Sequence, residues 1–171
     1  MVDMSIEEGR PAVAEVARHA PTAQQLATWR AFIETTELLR SRLGARLQSE
    51  SGMSLQDYSV LLALREAPAR NLRSSELADA VGWERSRLSH HVGRMERRGL
   101  VERKGPAGGG WGSCVHLTDA GADVFRRASV GHLQAVSELF IDALSPAQLD
   151  AAGEIAQALS ARLADTGGPR R

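Results

Sequence analysis

The segment from Gly82 to Lys104, GWERSRLSHHVGRMERRGLVERK, carries seven basic residues and two adjacent histidines. The whole chain has 171 residues, and its 21 basic and 21 acidic side chains cancel. Residues 65–104 hold ten basic and six acidic side chains, whereas residues 1–64 and 105–171 each hold two more acids than bases. Positive charge confined to one part of a neutral chain is the distribution expected where that part meets a polyanion.

The side chains of this segment separate into two faces when they are placed on a helix. At about 100° per residue, the polar and basic side chains share one side and the apolar side chains fall on the other. One face can therefore form hydrogen bonds and ionic contacts while the other packs into a core. The polar face comprises Ser86, Arg87, His90, Arg94 and Arg97, and the apolar face comprises Leu88, Val92 and Met95.

The surrounding sequence predicts a winged helix-turn-helix. A short helical pattern, SSELADAV at residues 74–81, has Ser74 or Ser75 as its cap and stops at Gly82, just before the basic helix. Two helices joined by a tight turn form the motif whose second helix fits the major groove of DNA. The runs GLVERK and GSCVHL then flank a glycine-rich turn, which predicts a β-hairpin, the wing. A solvated helix face is the alternative for a basic stripe alone, but three signals in register favour the DNA-binding motif.

Two helical patterns come before this motif. Apolar side chains recur at three- and four-residue steps from Thr22 to about Gln48, which predicts a long amphipathic helix. Ser54 followed by Asp57 is a capping pair, and it predicts a second helix that ends near Arg65. The side chains expected to face inward from this helix are Tyr58, Leu61 and Leu62.

Two more helical patterns follow the hairpin. Thr118 caps a helix whose apolar period continues to Leu144, and Ser145 caps a last helix that has Pro146 at its first position. The terminal helices carry more apolar surface than a small central module could cover. A symmetric homodimer is therefore expected, and a monomer whose helices pack on one another is the alternative.

The predicted fold class is mainly α with a small β-hairpin wing: a winged helix-turn-helix core plus long dimerisation helices from both termini. A flexible N-terminal arm is expected before the first helix and a flexible tail after the last. The predicted ranges are 1–21 for the arm, 22–53 for the N-terminal dimerisation helix, 54–117 for the winged module, 118–164 for the C-terminal dimerisation helices and 165–171 for the tail.

Composition narrows the class of protein. Charged residues make up 25% and hydrophobic residues 43%, as in soluble globular proteins. The longest strongly apolar run, Val60 to Leu64, is too short to cross a bilayer. Acidic residues near the start argue against a secretory signal, so a cytoplasmic location is expected. Cys114 is the only cysteine, which excludes an intramolecular disulfide and a four-cysteine zinc site. No cofactor is predicted.

The chain resembles the multiple antibiotic resistance regulator (MarR) family, specifically its actinobacterial branch. The resemblance is carried by LRSSELADAVGWERSRLSHHVGRMERRGLVER at 72–103, VHLTDAG at 115–121 and GHLQAVSELFIDALSPAQL at 131–149, and it covers roughly Leu26 to Leu163. The pair Trp29-Arg30 near the start of the first long helix is typical of that branch. Membership would imply a homodimeric, ligand-responsive transcription factor that binds a palindromic operator, usually as a repressor.

The same resemblance implies which side chains meet DNA. Residues of the basic helix would lie near bases or phosphates, and residues of the preceding helix and the wing would lie near the backbone. His90 stands where Arg is common in the family, and the wing tip lacks the family's usual Arg. Trp111 would either contact DNA in its place or pack back on its own module. The implied set is Arg73, Ser74, Arg85, Ser86, Arg87, Ser89, His90, Arg94, Arg97, Arg103, Lys104 and Trp111.

An effector site and several rival interpretations remain as hypotheses. By position in the family, a small aromatic or phenolic effector would contact Trp29, Phe32, Thr36, Tyr58 and Arg65, although each of these fits the core or a solvated surface equally well. Gly93 would let DNA approach the backbone of the basic helix closely, or it reflects neutral drift. A redox sensor acting through Cys114 and a winged helix used for protein contacts are the alternative functions.

Metal binding and catalysis find less support in the sequence. The residues from which a zinc site would have to be built are His90, His91, His116, His132 and Cys114. The first two point to different faces of the basic helix, so they cannot share a metal ion. The sequence has no phosphate-binding loop, nucleophile elbow or metal-ligand helix, so it is not expected to be an enzyme.

Overall fold

A computed structural model of the chain describes residues 20–105 and 113–166. These residues divide between Thr36 and Glu37 into two compact units. Their elements are α1 (Ala23–Ser51), α2 (Leu55–Glu66), β1 (Asn71–Arg73), α3 (Ser74–Val81), α4 (Arg85–Arg97), β2 (Val101–Lys104), β3 (Cys114–Leu117), α5 (Asp119–Val136) and α6 (Pro146–Thr166).

The long first helix begins with a reciprocal cap. The hydroxyl of Thr22 accepts from the backbone N–H of Gln25 at 3.2 Å, and the side-chain oxygen of Gln25 accepts from the N–H of Thr22 at 2.8 Å. Such an exchange satisfies two donors that a helix start leaves without partners. The side chains from residue 23 to residue 36 are exposed, and the buried surface of α1 lies near its other end, at Leu47.

The core forms where α2, α3 and α4 meet the sheet. Ser54 caps α2 as its position predicts, since its hydroxyl accepts from the N–H of Asp57 at 3.0 Å. Leu61 is fully buried, but Leu62 is 36% exposed, so the expectation that both face inward was wrong for Leu62. Adjacent helical residues point about 100° apart, and only one of the pair can point directly into the core. The largest fully buried side chains include Met53, Leu61, Leu64, Leu77, Leu88 and Met95.

The turn between α3 and α4 depends on a glycine. Gly82 has a φ of 67°, which is the left-handed backbone conformation found at the end of many helices. Residues other than glycine rarely adopt it. The start of α3 differs from expectation, because its N-cap is Arg73 and neither Ser74 nor Ser75. The N–H of Arg73 donates to the carboxylate of Glu76 at 2.9 Å, which leaves the serines inside the helix.

The wing belongs to a three-stranded antiparallel sheet in the order β1-β3-β2. The expected hairpin is present, with Glu102 opposite His116. The third strand was not expected: β1 pairs with the outer side of β3, placing Leu72 opposite Val115. This strand connects the end of α2 to α3 and so attaches the helix-turn-helix to the base of the wing.

The C-terminal part departs from a single continuous helix. Thr118 caps α5 as predicted, since its hydroxyl accepts from the N–H of Gly121 at 2.9 Å. The α-helix ends at Val136, however, and residues Ser137–Ile141 form a π-helix before α6. The expected uninterrupted helix to Leu144 was therefore wrong. No helix in the described ranges is both long and apolar enough to span a membrane.

Candidate nucleic-acid interface

The two faces predicted for α4 are present in the structure. Leu88, Val92 and Met95 are each at most 1% exposed and hold the helix against the core. The opposite side is exposed along the whole helix and is rich in guanidinium groups. Its exposed side chains are Arg85, Ser86, Arg87, Ser89, His90, Arg94 and Arg97.

A cleft of about 520 Å³ opens beside this face, and it is lined by Ser54, Gln56, Arg87, His90, His91 and Arg94. Its walls combine two guanidinium groups with the first turn of α2, whose backbone N–H groups carry partial positive charge. Such a site is suited to an anion of phosphate size. Sequence reasoning missed Ser54 and Gln56, because a cap residue and its neighbour carry no sign of which helix lies opposite.

Asp57 anchors α4 to α2. Its Oδ2 accepts a hydrogen bond from Arg98 Nη1 at 2.7 Å, and its Oδ1 lies 2.9 Å from His91 Nε2. Burial on its own would raise the pKa of this carboxyl, but the hydrogen bond and charge of Arg98, with smaller effects of Ser54 and His91, hold the pKa below its usual value. A buried carboxylate that has these partners remains ionised and fixes the position of α4 relative to α2.

His91 connects this anchor to the exposed face. Arg94 Nη2 donates to His91 Nδ1 at 2.8 Å. Since Arg can only donate, Nδ1 must be unprotonated and the ring proton lies on Nε2, toward Asp57. The Nε2 contact has the distance of an ion pair but not the angle of a hydrogen bond. Burial lowers the pKa of His91, consistent with a neutral ring.

Trp83, in the turn before α4, contacts the same group of residues. The guanidinium carbon of Arg87 lies 4.7 Å from the centroid of the indole, a cation–π distance. The imidazole of His91 meets the indole in a T-shaped arrangement, with ring centroids 5.1 Å apart. Sequence reasoning missed Trp83, because it lies in the turn before α4 and helical spacing does not say which side chains a turn residue meets.

Several side chains predicted to meet DNA have partners within the chain. Arg103 Nη2 donates to the carbonyl oxygen of Ser89 at 2.6 Å, which joins the wing to α4. Lys104 pairs with Glu102 at 2.6 Å. The hydroxyl of Ser74 donates to the carbonyl oxygen of Ser113 at 3.0 Å. Arg73 is exposed at the junction of β1 and α3. Trp111 lies outside the described residues.

Comparison with known proteins identifies the chain. A family model described as the MarR family matches residues 51–110. The crystal structure of Sco3205, a MarR family transcriptional regulator from Streptomyces coelicolor in complex with DNA, is 38% identical, has a TM-score of 0.79 and covers 88% of this chain and 96% of its own. The chain belongs to the MarR family. Its winged helix is accordingly that of a transcriptional regulator.

Further solved structures show the same architecture. AbsC, also from Streptomyces coelicolor, is 30% identical with a TM-score of 0.77, covering 85% of this chain and 98% of its own. The organohalide-sensing regulator RdhR-CbdbA1625 in its 2,4-dichlorophenol-bound form is 16% identical with a TM-score of 0.70 over 86% of this chain and 89% of its own. The second likeness shows the common fold only. No curated protein matches the chain.

Two of the residues predicted to bind an effector in this MarR family chain lie at the boundary of α2 and α5. Tyr58 is buried, and its hydroxyl lies 3.3 Å from the hydroxyl of Ser129. The ring centroids of Tyr58 and Phe125 are 4.9 Å apart. Arg65 is exposed and borders a cleft of about 440 Å³ that Phe125 and Ser129 also line. The other three predicted residues, Trp29, Phe32 and Thr36, lie on the exposed part of α1 in the first unit.

The remaining hypotheses concern metal, redox and backbone sites. Across residues 20–105 and 113–166, no group of three or more His, Cys, Asp or Glu side chains could hold a metal ion. Cys114 is half-buried on β3. Gly93 is half-buried on α4, and nothing lies within 4 Å of the position that a Cβ would occupy. The DNA contact proposed for its backbone stays a prediction.

Proposed function

We propose that this MarR family protein acts as a homodimer that binds a palindromic DNA operator, represses transcription there, and is released by a small-molecule effector. The observation that carries the proposal is the two-faced α4. Its apolar side is locked in the core by Leu88, Val92 and Met95, so its cationic side has a fixed orientation toward solvent. A rigid helix that presents Arg, Ser and His side chains is suited to the major groove.

The side chains divide into two roles. Ser86, Arg87 and His90, near the start and middle of α4, would meet base edges, and Arg can pair with both acceptors of guanine. Arg94 and Arg97, toward the end of α4, would meet phosphates. A phosphate in the cleft beside α4 would be held by Arg94 and by the first N–H groups of α2.

Exposed apolar side chains support the homodimer. Leu139, Phe140 and Ile141 in the π-helix and Ile155 and Leu159 in α6 are all between 36% and 48% exposed. Several large apolar side chains exposed on neighbouring elements of the chain are typical of a contact site. A second copy of the same chain would cover them under two-fold symmetry and would place two α4 helices about one turn of DNA apart.

The effector would enter the cleft between α2 and α5. Arg65 offers a cation for a carboxylate or phenolate, and Phe125 offers an aromatic wall. Ser129 lies at the same cleft and reaches Tyr58 behind it. An effector here would press on α5, whose first turn rests on the base of the wing.

The test is selection of bound duplexes from a randomised DNA pool, followed by affinity measurements at several salt concentrations. We expect a palindromic consensus and an affinity that falls steeply with salt through counterion release. Arg87→Ala should relax the base preference at one position in each half-site, at a cost of roughly 1–3 kcal/mol. Binding to every duplex at only the nonspecific level, about 10⁻⁴–10⁻⁶ M, would contradict the proposal and leave a protein-contact module as the alternative.

The effector is tested with a panel of aromatic carboxylates and phenols on the complex with the selected duplex. Release by a panel member should disappear in Arg65→Ala while affinity for DNA in its absence stays unchanged. Glu66→Ala, at the next position of α2 and absent from the lining of this cleft, is the matched control. Equal release from the wild type and from Arg65→Ala would place the effector elsewhere.

A further inference from the structure

Trp83 lies in the turn of the helix-turn-helix and contacts two side chains of α4. It lies under the guanidinium of Arg87 at 4.7 Å and packs against His91 with ring planes 82° apart. Arg87 and His91 are one helical turn apart in α4, and both contact Trp83, which lies in the turn that precedes the helix. The indole is itself half-buried and packs against the core.

His91 connects these contacts to a second arginine. It is 7% exposed, contacts Asp57 of α2 on one side and accepts a hydrogen bond from Arg94 on the other. Trp83 and His91, here called the ring pair, are thus held by the core, and each contacts one exposed guanidinium. Arg87 and Arg94 are the two arginines that line the cleft beside α4.

We propose that Trp83 is a positioning residue for DNA recognition: together with His91 it sets the directions of Arg87 and Arg94 before DNA arrives. The inference rests on the proposed DNA contacts of these two arginines. A free Arg side chain samples many rotamers, and ordering it on binding weakens an interface roughly three- to tenfold. A guanidinium that already lies over an indole avoids much of that loss. Its N–H groups project from the rim of the planar group and stay available for a base edge or a phosphate.

The first test is a double-mutant cycle on the duplex that the protein selects from a randomised pool. Trp83→Leu should weaken binding about three- to tenfold. Combined with Arg87→Ala, the loss should be smaller than the product of the two single losses, because the indole then has no guanidinium to orient. Trp83→Leu combined with Arg97→Ala is the matched control and should be multiplicative, since Arg97 has no contact with the ring pair within the described residues. Multiplicative losses for both pairs would overturn the proposal.

The second test separates positioning from folding. In the free wild-type protein, the ring current of Trp83 should shift the side-chain NMR signals of Arg87 upfield, and Trp83→Leu should abolish that shift. Trp83→Phe keeps a ring and should retain part of both the shift and the affinity, so it serves if Trp83→Leu does not fold. Arg87 signals at their random-coil positions in the wild type would overturn the proposal.

The outcomes distinguish this inference from the proposed function. If Arg87→Ala alone leaves affinity unchanged, the proposed DNA contact of Arg87 is wrong, and the positioning role falls with it. If Arg87→Ala weakens binding but its loss multiplies with that of Trp83→Leu, the DNA contact stands and only the positioning role is overturned.

Discussion

α4 and α6 both present exposed surfaces, but the surfaces differ in kind. The exposed side of α4 consists of charged and hydrogen-bonding groups, and its apolar side chains are buried to 1% exposure or less. In α6 the apolar side chains themselves are exposed, with Ile155 at 48% and Leu159 at 47%. A cationic surface is stable in water and attracts a polyanion. An apolar surface is unfavourable in water and is stabilised when another surface covers it.

Under the proposed function the two helices have different partners, DNA for α4 and a second copy of the chain for α6. α4 is complete as part of the fold and incomplete only with respect to DNA. α6 carries large apolar side chains, as a core helix does, but the other elements of the described chain leave them exposed. The predictions that follow test whether these two helices differ as described, beginning with the largest expected effect.

Removing a buried side chain from α4 should strongly destabilise the module. Leu88→Ala leaves a cavity at a position that is 1% exposed, and we expect a loss of about 2–5 kcal/mol in the free energy of unfolding. Urea denaturation followed by circular dichroism measures it. Ser86→Ala, on the exposed side of the same helix, is the control and should change stability by no more than about 0.5 kcal/mol. Similar losses in both variants would contradict the two-faced description of α4.

A charge placed among the exposed apolar side chains of α6 should weaken the association of two copies of the chain. Leu159→Glu should weaken self-association by at least ~2 kcal/mol, because the carboxylate would have to be desolvated in the interface. Analytical ultracentrifugation measures the loss, and DNA affinity should fall with it. Gln157→Glu adds the same charge on the opposite side of the helix and should leave the dimer intact. If both variants associate as the wild type does, α6 is not the interface.

Lowering the pH from 7 toward 5 should destabilise the protein through buried His91 and half-buried His132. Burial lowers the pKa of His132 and of His91 below the ordinary value near 6.5. Between about pH 6.5 and the folded pKa values, the two imidazoles bind protons in the unfolded chain but stay neutral in the folded chain. The free energy of unfolding therefore decreases as the pH falls through this range. His132→Leu should make the pH dependence shallower without touching the α4 surface. A dependence as steep as that of the wild type in this variant would exclude a contribution from His132.

The smallest effects should come from glycines in the middle of the two helices. Gly93 in α4 and Gly153 in α6 both have open space where a Cβ would lie. Replacing either with Ala should raise stability by about 0.5–1 kcal/mol through helix propensity. Thermal unfolding measures this gain. Only Gly93→Ala should weaken DNA binding, because Gly93 lies beside the basic face. Unchanged affinity in both variants would leave Gly93 without a role in recognition.

Local signals in the sequence account for much of the fold. The caps at Ser54 and Thr118, the stop at Gly82 and the two faces of α4 depend on residues within one or two turns, so periodicity and capping rules predict them. β1 could not be predicted in this way, because a strand of three residues exists only through its pairing with β3. The π-helix at Ser137–Ile141 was missed because its apolar side chains continue the period of α5 without a break.

The candidate site was predictable only in part, for the same reason. Position along α4 identifies the exposed arginines, but it does not identify the residues that contact them or fix the helix in place. Asp57 resembles an ordinary capping residue in the sequence, whereas in the fold it is 4% exposed and contacts two residues more than 30 positions away, His91 and Arg98. Such contacts depend on the packing of α2 against α4, which no local pattern encodes.

Gly121 has a mechanical consequence. A Cβ at this position would lie 2.0 Å from the carbonyl oxygen of Leu100, so the first turn of α5 rests directly on the backbone between α4 and β2. The hydroxyl of Thr118 also donates to the carbonyl oxygen of Gly99 at 2.7 Å. α5 is about 27 Å long. Its first turn is therefore held against the segment that joins α4 to β2, and a displacement of α5 would act directly on that segment.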